Sequence, residues 1–147
     1  MRATLFLSVL LLANTGVSHA ALGGFPEQFN TEDTKVLSSV SSTVSNYVAR
    51  DTMLSTGTRV REYISGSGVV FAVTWEGPVL PDLKALLGTY FDTMVAESAK
   101  SPKAGRSPMT VDRPDVVINS GGHMRAFEGS AWLPAQFPAG FTAGNVR

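Results

Sequence analysis

Polar and apolar positions alternate most regularly between residues 47 and 75, and the rest of the chain is arranged around that stretch. Residues 47–54 (YVARDTML) predict a first strand, and Ser55-Thr56-Gly57 a turn in which Gly57 takes positive φ at little cost. In residues 58–65 (TRVREYIS), Val60, Glu62 and Ile64 point one way and Arg59, Arg61 and Tyr63 the other. That period of two predicts a strand with one wetter face. After Gly66-Ser67-Gly68, residues 69–75 (VVFAVTW) are apolar on both faces, with Val69, Phe71, Val73 and Trp75 on one side and Val70, Ala72 and Thr74 on the other. A strand of that kind is central or covered on both faces. The short glycine-containing loops predict an antiparallel meander.

From Pro81-Asp82 the period changes to that of a helix. Leu83, Leu86, Leu87, Tyr90, Phe91 and Met94 form one apolar stripe, with Asp82 either as N-cap or at the positive end of the helix dipole and Gly88 in mid-helix against the sheet. Beyond it, residues 97–114 carry prolines and basic residues and predict a loop. Residues 115–119 (DVVIN) and 123–128 (HMRAFE) predict a second hairpin. With Gly121-Gly122 as its loop, Ser120 faces His123, Ile118 faces Arg125 and Val116 faces Phe127. Ala131-Trp132-Leu133 predicts one more short strand or an apolar patch over the core. Upstream, residues 31–37 predict a short helix, and the Ser/Thr-rich residues 38–45 a polar lead-in to the first strand or part of it. The fold class expected is α+β: an antiparallel sheet of about five strands in the order β-β-β-α-β-β, with one main helix packed on one face.

Residues 1–20 have the form of a secretory signal peptide: Arg2, an apolar run over residues 5–13, and small residues at Ser18 and Ala20. The run is too short to span a bilayer. The remaining divisions expected are an extended N-terminus over 21–46, the α+β domain over 47–134 and an irregular tail over 135–147. Cleavage after Ala20 leaves 11 Lys plus Arg against 12 Asp plus Glu, with no basic cluster. That balance argues against nucleic acid and against electrostatic membrane binding. There is no cysteine, hence no disulfide and no thiol nucleophile. The expectation is an exported, soluble protein, periplasmic or extracellular, held together by its core alone.

Three segments together carry a family resemblance: residues 55–91 (STGTRVREYISGSGVVFAVTWEGPVLPDLKALLGTYF), 118–134 (INSGGHMRAFEGSAWLP) and 21–26 (ALGGFP). Its most specific pieces are the GPVLPDLKALLG and SGGHMRAF runs. The chain resembles a family of exported bacterial proteins catalogued as a domain of unknown function. The resemblance implies a single exported domain and carries over no activity or catalytic residue.

Candidate chemistry is sparse. His123 is the only histidine after residue 20, so a Ser-His-Asp site would use it with Ser120 and Asp115. No G-x-S-x-G elbow, H-E-x-x-H zinc motif or dinucleotide fingerprint occurs. Paired carboxylates for glycosidase chemistry would come from Glu62, Glu76 and Glu128. Glu62 shares a face with apolar residues, so burial there requires a partner such as Arg59, Arg61 or Arg125. Trp132 and Arg125 are the candidate binding residues, Trp132 as an anchor for a partner or a platform for a sugar. No metal or cofactor is expected. The function expected is a non-catalytic binding or accessory module of the bacterial cell envelope, its partner an envelope protein or a small ligand. The alternatives are a small secreted hydrolase using His123 and a structural component of a surface assembly.

Overall fold

The computed structural model describes residues 22–26, 34–42 (backbone only), 46–100 and 108–147. The signal-peptide expectation over residues 1–20 lies outside them. The chain is α+β. Strands β1 (Thr34–Ser42), β2 (Tyr47–Leu54), β3 (Arg59–Ser65), β4 (Val70–Gly77), β5 (Met109–Asp112), β6 (Val117–His123) and β7 (Ala126–Trp132) form one seven-stranded antiparallel sheet in the order β1-β2-β3-β4-β7-β6-β5. The expected meander is β2-β3-β4, and the second hairpin, β6-β7, extends it through β7 against β4.

Two strands exceed the expected count. Residues 34–42 pair with β2 instead of forming the helix expected over 31–37. Helix propensity is a weak preference, and here a neighbouring strand with unmet backbone groups outweighs it. Residues 109–112 leave the expected loop to pair with β6. Ala131 and Trp132 are the end of β7 and not a further strand.

The helix is also two. α1 (Leu83–Leu87) is capped by Asp82, whose carboxylate accepts from the Lys84 and Ala85 backbone N–H groups. It stops at Gly88, which takes φ +54° and donates its N–H to the Lys84 carbonyl. α2 (Tyr90–Lys100) follows at once. Gly88 is therefore a C-cap, since its left-handed φ closes a helix and cannot continue one.

The sheet has an apolar layer on each side. On the helix face, Val60, Val70, Val73, Trp75, Ile118 and Ala131 pack against Leu83, Leu86 and Leu87, with Tyr90, Phe91 and Met94 partly buried. Leu22 closes this core, its N–H donating to the Leu86 carbonyl at 3.0 Å. On the other face Tyr63, Phe71, Ala72 and Phe141 are buried together, with Tyr47, Phe137 and Val146 at their edge. Phe141, in the tail, meets Phe71 at 4.9 Å, Tyr47 at 5.0 Å and Tyr63 at 5.5 Å between ring centroids, all edge-on. This second core turns the expected irregular tail into a packed strap.

A β-bulge divides the apolar residues of β4 between the two cores. Tyr63 pairs with Ala72 but Ile64 pairs with Val70, so Phe71 is an extra residue. Simple alternation would place Phe71 with Val73 and Trp75. The bulge instead sends Val70 to the helix face and Phe71 to the strap face.

The β6-β7 hairpin corrects the expected register. His123 pairs with Ala126, Ile118 with Ala131 and Ser120 with Gly129, so the loop is Met124-Arg125 and both Gly121 and Gly122 lie inside β6. Arg125 supplies the positive φ of the turn, +67°. Gly122 has φ +105°, and a Cβ there would lie 2.1 Å from the Ala126 carbonyl oxygen. Gly122 serves close strand approach, and the shift buries Ile118 and Ala131 opposite each other.

Candidate functional site

The sequence-predicted site residues are not brought together. His123 is exposed at the end of β6. Ser120 is three residues back on the same strand, so the two side chains leave opposite faces of the sheet. Asp115 lies beyond the other end of β6 and accepts from Arg113 Nε at 3.1 Å. Arg125 is exposed on the hairpin turn, beside a recess of about 230 Å³ shared with Glu76, Pro78, Phe127 and Glu128. Trp132 is partly buried against the strap-face core.

Glu62 is buried on the helix face, and its partner is none of the arginines expected. Arg50, directly opposite on β2, donates through Nε at 2.8 Å and Nη2 at 2.5 Å to Oε2. Arg61, on the strap face, pairs with Asp51 through Nε at 2.6 Å and Nη2 at 2.7 Å. That carboxylate holds the Arg61 guanidinium well above its ordinary value. Two cross-strand ion pairs, one per face, thus tie β2 to β3. Both arginines are committed to them, which leaves neither as a free binding group.

A groove that no single segment announces lies on the strap face, over β4, β7, β6 and β5. The register aligns Thr74 with Ser130, Ser130 with Asn119 and Asn119 with Thr110, a row of hydroxyl and amide side chains crossing four strands. One step along, Glu76 stands opposite Glu128, and Glu128 opposite Gly121. These residues line a groove of about 380 Å³, closed at one end by Val146 and Arg147 of the strap. Its volume is within the range of ligand sites. Gly121 leaves the floor open, its nearest neighbour being Pro108.

None of the six polar side chains hydrogen-bonds another described residue. Two glutamates directly opposite on one face repel each other, a cost that Arg59, opposite Glu76 on β3, offsets only in part because it forms no ion pair with it. Carboxylate-pair catalysis needs one acid kept protonated in a dry pocket, whereas Glu76 and Glu128 are both exposed. Among the described residues no cluster of three or more histidine, aspartate or glutamate side chains is placed to hold a metal ion. What the groove offers is a set of hydrogen-bonding groups held at fixed spacing by the sheet.

The strap is fastened beside it. The Tyr63 hydroxyl accepts from the Arg147 backbone N–H at 3.0 Å and lies 2.8 Å from the Arg147 carbonyl oxygen, to which it donates. Arg61 Nη1 donates to the same oxygen at 3.1 Å.

The same sequence matches, over residues 18–146, the family described as protein of unknown function (DUF2844). The chain belongs to the DUF2844 family. No curated protein and no solved structure matches it. The DUF2844 match spans β1 to β7, both helices and the strap up to Val146, so the groove and strap apart from Arg147 fall within the family's own extent.

Sequence reasoning named Glu76 and Glu128 but missed their pairing, and missed Thr74, Ser130, Asn119 and Thr110 entirely. Each strand carries two or more polar residues, as with Thr74 and Glu76 on β4 and Glu128 and Ser130 on β7, so the interruptions were visible but not which of them align. Only the β6-β7 register aligns those interruptions.

Proposed function

We propose that this DUF2844 protein is a non-catalytic binding module of the bacterial cell envelope, and that the strap-face groove is where its ligand sits. The observation that carries this reading is the row Thr74–Ser130–Asn119–Thr110 with Glu76 and Glu128 beside it, six polar side chains that satisfy nothing within the described fold. A buried polar set is expected to be internally paired, whereas none of these six side chains is buried and each meets water in the free protein. A polar set that is presented unpaired in a groove is free to exchange water for a ligand. Export is supported by the form of residues 1–20. Among the described residues no helix is long and apolar enough to cross a membrane.

The test is a chemical-shift map. The chain from residue 21 onward, labelled with ¹⁵N, is titrated with size-fractionated bacterial envelope extract. The proposal expects shifts at the Thr74, Ser130, Asn119 and Thr110 amides and none at His123. Shifts centred on His123, or no shift from any fraction, would count against it.

A further inference from the structure

The spacing and charge of this groove specify its ligand further. Resting on the binding reading above, we infer that the groove takes a linear, neutral, β-linked glycan lying across the strands. The row Thr74–Ser130–Asn119–Thr110 places one hydrogen-bonding side chain on each of four neighbouring strands. Adjacent strands are about 4.8 Å apart, so the row spans roughly 14 Å with a group at each step. That step is close to the length of one pyranose unit in an extended chain. A ligand laid across the strands therefore meets one protein group per sugar.

The chemistry of the groups agrees. A hydroxyl donates and accepts, and the side-chain amide of Asn119 does both through separate atoms. Glu76 and Glu128 add acceptors one row away, where a second hydroxyl of the same sugar would fall. A peptide is a poorer fit. It carries backbone groups that pair in the plane of a sheet edge, whereas this groove lies on a sheet face and offers side chains. Phosphate-bearing or uronic-acid chains meet the two opposed glutamates, against which Arg147 at the closed end is the one cation among the lining residues, and the balance of charge disfavours them. Gly121, in the glutamate row, gives the sugar plane access to the backbone.

The test is calorimetric titration of the chain from residue 21 onward with oligosaccharides of β-1,4-linked N-acetylglucosamine and of β-1,4-linked glucose, two to six units long. The expected result is an affinity in at least one series that rises several-fold per unit up to four sugars and levels off beyond, because only four strands contribute. Asn119→Ala weakens the tetrasaccharide about tenfold, the order expected for one uncompensated hydrogen-bonded group. Ser130→Ala also weakens it, and an oligogalacturonate of equal length does not bind. Both variants are solvent-facing substitutions, and unchanged melting confirms their folding. Binding in neither series, no dependence on length, or tighter binding of the galacturonate would each overturn the glycan assignment. If none of the sugars binds while envelope extract still shifts the groove amides, the groove stands as a binding site and the glycan class alone fails. If neither does, the groove itself is refuted.

Discussion

Gly129→Ala is the sharpest perturbation of the fold on which the groove depends. Gly129 pairs with Trp75 on one side and Ser120 on the other. A Cβ at this position would sit 2.1 Å from Trp75 Cζ2, 2.4 Å from Cε2 and 2.7 Å from the Asn119 carbonyl oxygen. Carbon atoms in contact rest at about 3.5–4.0 Å, so the indole would have to retreat by more than an ångström. It has nowhere to go, because Trp75 is 1 % exposed, in a central strand and under α1. Overpacking of this kind costs about 1–3 kcal/mol. The second obstacle is backbone, which places the expected loss at about 3 kcal/mol and the fall in melting temperature at about 10 °C. Urea unfolding followed by tryptophan fluorescence measures it directly. Gly144→Ala is the control, since a Cβ there meets only Thr142 Oγ1 at 3.6 Å and the change should be neutral. Trp75→Leu in the Gly129→Ala background should cost less than the sum of the two single changes. A Gly129→Ala chain within 0.5 kcal/mol of the parent would refute the register, and with it the alignment of the groove row.

Three further outcomes follow from the geometry. Arg50→Met removes both Arg50 hydrogen bonds to the Glu62 carboxylate, whose side chain is 3 % exposed, and should cost about 3 kcal/mol in urea unfolding; Arg50→Met with Glu62→Met should recover much of that loss. Tyr63→Phe removes the hydroxyl that holds residues 145 and 147, so hydrogen exchange at the Arg147 amide should accelerate, with a loss of about 1–2 kcal/mol in stability. Glu97 is bonded by Lys100 at 2.8 Å, which, with Arg113 nearby, holds its carboxyl below the usual carboxylate value. A lowered folded-state pKa stabilises above the unfolded carboxylate value of about 4.3 and is lost as pH falls through the lower folded value. The parent should therefore melt above Glu97→Gln at pH 7, and the gap should close in acid.

Much of the sheet was legible because its signals are local. Gly57 and Gly68 mark the turns, and the alternation of Arg59 to Tyr63 marks a half-wet strand; each lies within a few residues of what it predicts. Asp82 announced its helix for the same reason. The errors arose where a distant partner decides. Residues 34–42 have few apolar side chains and become a strand only because β2 lies beside them. The Phe71 bulge turns that ring into a core that Phe141, seventy residues away, helps to build, which no local pattern shows. Gly121-Gly122 looks like a turn, yet Gly122 is required by the Ala126 carbonyl pressed against it. Placing the loop at those glycines misaligned Ser130 and Asn119, so the groove could not be assembled from the sequence. Glu62 was recognised as needing an arginine, but Arg50 could be chosen over Arg61 only once β2 was in register.

The binding account is tested most directly by blocking the groove. Ser130→Trp places an indole among Thr74, Asn119 and Glu128, whereas His123→Ala leaves the groove as it is. Both chains, checked for unchanged melting, are compared with the parent for retention on immobilised bacterial envelope fractions. The account predicts that Ser130→Trp loses retention and His123→Ala keeps it. Retention kept by Ser130→Trp and lost by His123→Ala would contradict it.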